Sequence, residues 1–118
     1  MTIQNSINFP VVTHWLFPSS GVVMAPFFGY IVDLAYNMNL PSSSQVKVGD
    51  QFYCQAIGSG FSIFASAGQK IYFKDLNNVT LIQTTEIGAS IVLRCFNFDG
   101  EDALFNVLAT NGATFTAS

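Results

Sequence analysis

The chain has 118 residues, half of them hydrophobic, with 9 % Asp, Glu, Lys and Arg and a formal net charge of -3. That length suits one domain, or one domain with an arm, since domains run to about 100 to 150 residues. Four basic residues, Lys47, Lys70, Lys74 and Arg94, argue against nucleic acid or an anionic membrane as partner, because such binding draws on clustered Lys and Arg that release counterions.

Residues 1 to 28 alternate irregularly and carry Pro10, Pro18 and Pro26. We read them as an extended N-terminal arm ahead of a domain at 29 to 118. An uncharged arm this apolar needs a surface to cover it, so Phe9, Val11, Val12, Trp15, Leu16 and Phe17 are the expected partner-binding residues. The apolar run "GVVMAPFFGYIV" at 21 to 32 is well short of the roughly 20 residues that span a bilayer. "MTIQNSINFP" has no basic start, which speaks against a secretory signal.

From Tyr30 to Leu40 the residues Tyr30, Val32, Leu34, Tyr36, Met38 and Leu40 share one parity, which predicts a half-buried strand. Pro41 and the serines after it end that strand. "DQFYCQAI" alternates again, and Gly58 and Gly60 in "GSG" predict a hairpin turn into "FSIFA", since glycine accepts positive φ. "FSIFA" and "QKIYF" are expected to pair about "SAG". Gly49, Asp50, Gly58, Gly60, Gly68 and Gln69 are the structural turn residues of this stretch, with the Gln69 amide suited to neighbouring backbone groups. Further on, "VTLIQTTE", "ASIVLRCFNF", "ALFNVLAT" and "ATFTAS", broken by "DGED" and "NG", read as strands and turns. No segment has helical periodicity. Strands at this spacing predict an all-β fold, an antiparallel β-sandwich or jelly-roll-like barrel.

Catalytic chemistry has little to draw on. The chain has a single histidine, His14, two dispersed cysteines and seven carboxylates, a thin set of titratable groups, so no enzyme is expected and no cofactor or metal is assigned. Asp99, Glu101 and Asp102 lack the full spacing of a calcium loop and read as a polar hairpin turn. "GSGFS" has no following helix to make a phosphate loop. Asn78 in "NNVT" is an acceptor sequon that matters only in a secreted eukaryotic protein. Cys54 and Cys95 lie in strand-like runs and are read as free, buried thiols rather than a bridge, which suits a reducing cytoplasm.

The stretch "NLPSSSQVKVGDQFYCQAIGSGFSIFASAGQKIYF" followed by "RCFNF" resembles a domain that recurs at the C-termini of bacteriophage tail-fibre and related virion proteins. The resemblance runs over about 30 to 118 and rests on Leu40 and Pro41; Val48, Gly49 and Asp50; Gly58 and Gly60; Ile63; Ala67, Gly68 and Gln69; Ile71 and Phe73; and the Cys-bearing strand at 92 to 95. The chain departs from that pattern at Ser59, Gly60 and Phe61, where Gly-Gly-Trp is usual, at Ala65 and Ser66 in place of Gln-Asn, and at Phe105 and Val107 in place of Trp-Val. The resemblance implies a small β-sandwich, commonly a homotrimer, without catalytic residues.

Charge deficit points the same way: an ordinary domain of this length has roughly 30 charged residues, about 25 %, against four basic and seven acidic here. Much of the surface is therefore expected to be covered by copies of itself or by a partner. With an arm and one sandwich and no shaft, the first expectation is a bacteriophage capsid decoration or cement protein, a virion component assembled in the host bacterial cytoplasm and bound to the major capsid protein. The alternative is a receptor-binding tail-fibre tip that recognises a host glycan. An exposed Trp or Tyr groove lined by Asn and Asp would favour the tip, whereas an arm gripping protein would favour cement.

Overall fold

The computed structural model describes residues 12 to 112 and 115 to 118. Among the described residues the chain is all-β apart from a 3-10 turn at Ser43–Gln45. Its strands are β1 (His14–Leu16), β2 (Val22–Val23), β3 (Phe28–Val32), β4 (Asn37–Asn39), β5 (Gln51–Ala56), β6 (Phe61–Phe64), β7 (Lys70–Phe73), β8 (Leu76–Val79), β9 (Leu81–Thr84), β10 (Ser90–Asp99), β11 (Asp102–Asn111) and β12 (Thr116–Ala117). They form a seven-stranded sheet, β1-β3-β5-β10-β11-β7-β8, and a five-stranded sheet, β12-β9-β6-β4-β2.

Both sheets are mixed, which corrects the expectation of an antiparallel architecture. Parallel pairing joins β1 to β3, β3 to β5, β2 to β4, β4 to β6 and β11 to β7. The cause is the path of the chain. Consecutive strands alternate between the two sheets except at the β7–β8 and β10–β11 hairpins, so strands two apart in sequence become parallel neighbours.

The same path corrects three local expectations. The long alternation from Tyr30 to Leu40 is two strands: the chain leaves β3 through a bend at Asp33 and Leu34 and enters β4 in the other sheet. Parity survives the crossing, since Tyr30, Val32, Met38 and Leu40 are all buried, while Leu34 at the bend is exposed. "GSG" is a crossover from β5 to β6 rather than a hairpin, and "SAG" is another from β6 to β7. Gly60 has φ +97 and a Cβ there would overlap the Thr84 carbonyl, while one at Gly58 would overlap the Asp33 carbonyl. Backbone crowding at the crossing requires glycine at both.

Inward residues of both sheets meet in one cluster. Phe52, Cys54, Ile91, Leu93, Phe105 and Ile71 from the larger sheet pack with Met38, Phe61, Ile63 and Ile82 from the smaller one. Phe52 and Phe105 meet edge to face with ring centroids 5.8 Å apart. Cys54 and Cys95 are buried and free; Cys54 lies opposite Ile91 in register, and Cys95 lies further along β10, beyond Leu93.

Two turns bind this frame together through side-chain amide and carboxylate groups. Asp50, buried, accepts a hydrogen bond at Oδ2 from the Lys47 amide at 3.0 Å and from the Cys95 amide at its carbonyl at 2.9 Å. Gly49, at φ +100, donates to the Cys95 carbonyl at 2.8 Å. Gln69 is 2 % exposed. Its Nε2 donates to the Pro41 carbonyl at 2.7 Å and to Ser43 Oγ at 3.2 Å, and its Oε1 accepts from the Ser66 amide at 2.9 Å. Ser43 Oγ in turn accepts from the Ala103 amide at 2.9 Å. Gly68 stands against Asp102, where no Cβ would fit. These turn residues therefore couple β7, the 3-10 turn and β11.

Candidate interaction surfaces

The N-terminal segment supplies an outermost strand to each sheet: β1 lies beside β3 and β2 beside β4. Short apolar stretches without a turn partner of their own reach an open edge this way. Trp15 is 50 % exposed, Phe17 70 % and Val23 66 %, with Leu16 also exposed. Val12 is half-buried and its Cγ1 lies against the Cα side of Gly29. Phe9 and Val11 lie outside the described residues. Residues 12 to 28 thus pack along the chain's own domain, and Met24 among them is buried in the core.

Trp15 has a built seat. It sits opposite Gly29 in register, Gly29 lies opposite Tyr53, and a Cβ at Gly29 would strike the indole. The indole meets Tyr53 edge to face at 5.4 Å and 88°, an arrangement that aromatic quadrupoles favour. Burial raises the Tyr53 hydroxyl pKa, and burial also raises that of Tyr30, whose hydroxyl accepts from the Ala25 amide at 2.7 Å. Burial pushes the Cys54 thiol up strongly, and that of Cys95 in the same direction. Neither thiol has the lowered pKa that marks a nucleophile.

Further across the outer face, Gln51, Arg94, Asn106 and Tyr72 form one cross-strand row. Gln51 Oε1, Arg94 Nε and Asn106 Oδ1 are buried without a hydrogen-bond partner. An acceptor, a donor and an acceptor stand side by side there, so each carries a desolvation cost of about 1 to 3 kcal/mol. Sequence reading counted Arg94 among the cations and assigned it no role, since its neighbours come from β5 and β11 through register and bulges.

At the opposite edge, β7, β8, β10 and β11 enclose a depression of about 500 Å³, lined among others by Lys70, Tyr72, Asn77, Asn78, Asn97 and Asp99. Two further depressions, of about 470 and 580 Å³, share Pro26 and Gln45 between the N-terminal segment and the 3-10 turn. Among the described residues no group of three or more His, Cys, Asp or Glu is placed to hold a metal ion. No helix among them is long and apolar enough to cross a membrane. His14 is exposed on β1, tilted against Phe28 at 4.9 Å. Comparison with protein-family models and with curated proteins finds no match to this chain.

Proposed function

We propose that this chain is a structural assembly protein, a jelly-roll-type β-sandwich that forms homotrimers and decorates a bacteriophage capsid as a cement protein. The observation that carries the reading is the pair of apolar edges that are open among the described residues, with Trp15 on β1, Val23 on β2 and Phe17 just beyond β1 all at least half exposed. An open edge offers unpaired backbone donors and acceptors to a second chain, and here it is flanked by aromatic and branched side chains that gain by leaving water. Scarcity of charge on the whole chain supports the same role.

Its partners in this reading are copies of itself and the major capsid protein, with no nucleic acid or membrane; its place is the virion surface, after assembly in the host bacterial cytoplasm. The resemblance of the Leu40 to Phe73 stretch to virion domains supports the phage setting. A contact of roughly 1,200 to 2,000 Å² per interface is needed for specificity. Binding only the assembled shell then stabilises it by mass action.

The test is the copy number of the chain relative to the major capsid subunit in purified particles, by quantitative mass spectrometry. A ratio near one, or a simple large fraction of it, is the expected result. A ratio of a few per cent would move the protein to the tail. Deleting residues 1 to 28 is an unsuitable probe because it removes β1, β2 and the core residue Met24; charged substitutions at Trp15 and Phe17 test the edge while leaving the core.

A further inference from the structure

The depression at the β8 edge has a different chemistry from the N-terminal edges, and we propose that it is a binding site for a neutral saccharide. Its floor is Leu104, which lies between Asn97 on β10 and Lys70 on β7 in register. Asn97 and Asp99 rise on one side, Lys70 and Tyr72 on the other, and Asn77 and Asn78 come from β8.

Four features of this surface match a sugar. Tyr72 is 38 % exposed, and its ring is held edge to face by Phe96 at 5.1 Å and 86°, so a flat apolar platform is positioned before any ligand arrives. Sugar rings present C–H faces that stack on such a platform, as aromatic side chains combine an apolar body with a polar tip. Next, the amides of Asn77, Asn78 and Asn97 are exposed and make no side-chain hydrogen bond to another described residue. Each amide offers two donors and an acceptor, the mixed set that hydroxyl groups require. Third, Lys70 and Asp99 place one charge of each sign in the depression, which leaves no net field for an anion or a cation. Last, side chains without a polar atom contribute only Phe98 and Leu104 to the lining, too little to hold an apolar ligand. Of the two depressions beside the 3-10 turn, one also has a charge of each sign, Lys47 and Asp50, but its one aromatic residue, Phe27, is only partly exposed, and the other has no aromatic residue in its lining.

An exposed tyrosine beside Asn and Asp is the feature that favours a receptor-binding tip, so sugar binding here would weigh toward the tail, whereas its failure would leave the capsid reading to be decided by copy number alone. The experiment uses the full 15N-labelled chain, titrated with the methyl glycosides of glucose, galactose, mannose and rhamnose while the Asn side-chain amide signals are followed. The expected result is a shift of the Asn77, Asn78 and Asn97 signals with one of these sugars, at a Kd of about 10 mM or tighter. Tyr72→Ala should weaken that binding at least about tenfold, equivalent to about 1.4 kcal/mol, and Tyr72→Phe, which keeps the platform, should retain it. Absence of any shift with all four sugars overturns the proposal. So does binding that survives Tyr72→Ala in a chain with an unchanged backbone spectrum, and so do amide signals that move with protein concentration alone, which would mean that a second copy covers the depression.

Discussion

Among the described residues the two edges of the seven-stranded sheet offer the same open backbone and opposite side chains. At β1 the outermost residues are His14, Trp15 and Leu16, with Phe17 just beyond; at β8 they are Leu76, Asn77, Asn78 and Val79. One edge gains by excluding water over a broad apolar front, and the other by exchanging water for directional hydrogen bonds. The difference teaches that position in a sheet determines only where a partner can add. Side chains decide whether that partner is a protein surface or a polar small ligand.

The largest loss of stability is expected at Gln69, whose amide anchors the turn ahead of β7. Gln69→Leu would leave the Pro41 carbonyl and the Ser66 amide without their partner, and buried unsatisfied groups cost about 1 to 3 kcal/mol each. We expect a loss of about 3 kcal/mol in urea unfolding, with the β7–β8 edge loosened before the β1 edge.

Alkaline pH strikes the other half of the sheet. Tyr30, Tyr53 and Cys54 lie on β3 and β5, and burial raises all three above their ordinary values of 10.0, 10.0 and 9.0. Their native forms therefore hold protons that the unfolded chain releases first, so stability falls as pH rises above about 9. Unfolding midpoints that decline between pH 9 and 11, with a shallower decline in Cys54→Val, are the expected result; a flat profile would contradict the burial of these groups.

Between the edges, Arg94→Met removes a buried donor without a partner and keeps an unbranched stem that reaches about as far as Nε. Because replacing an unsatisfied polar group with an apolar one is nearly neutral or stabilising, the urea midpoint should hold or rise by up to about 1 kcal/mol. A loss of more than about 2 kcal/mol would show that Gln51, Arg94 and Asn106 pair with one another in solution.

The alternation of Phe52, Cys54 and Ala56 and the β10–β11 hairpin at "DGED" are legible from local pattern, because each depends on neighbours a few residues away; of the Gln69 contacts only that with the Ser66 amide is local, whereas its donors reach Pro41 and Ser43 across the fold. Crossovers are not legible this way. A strand alternates identically whether the next one pairs beside it or lies in the facing sheet, and the crossing shows itself in the crowding of Gly58 and Gly60 against the carbonyls of Asp33 and Thr84. Apolarity alone does not separate the six expected contact residues: Trp15, Leu16 and Phe17 are exposed at the edge, Val12 is half-buried, and Phe9 and Val11 lie outside the described residues. The saccharide depression escaped sequence reading because Asn77, Asn78 and Asn97 meet only through the β8-β7-β11-β10 order.

The smallest expected change in stability accompanies the largest change in state. Trp15→Lys with Phe17→Lys alters residues that are at least half exposed, so the urea midpoint should move little, yet it places two charges on the apolar edge. The most direct measurement is therefore the solution mass of the unaltered chain at micromolar concentration, by light scattering after size exclusion, alongside this double variant. A homotrimer gives three times the 12.8 kDa of one chain for the unaltered protein, and a single chain is expected for the variant. A stable single chain in both samples would contradict it.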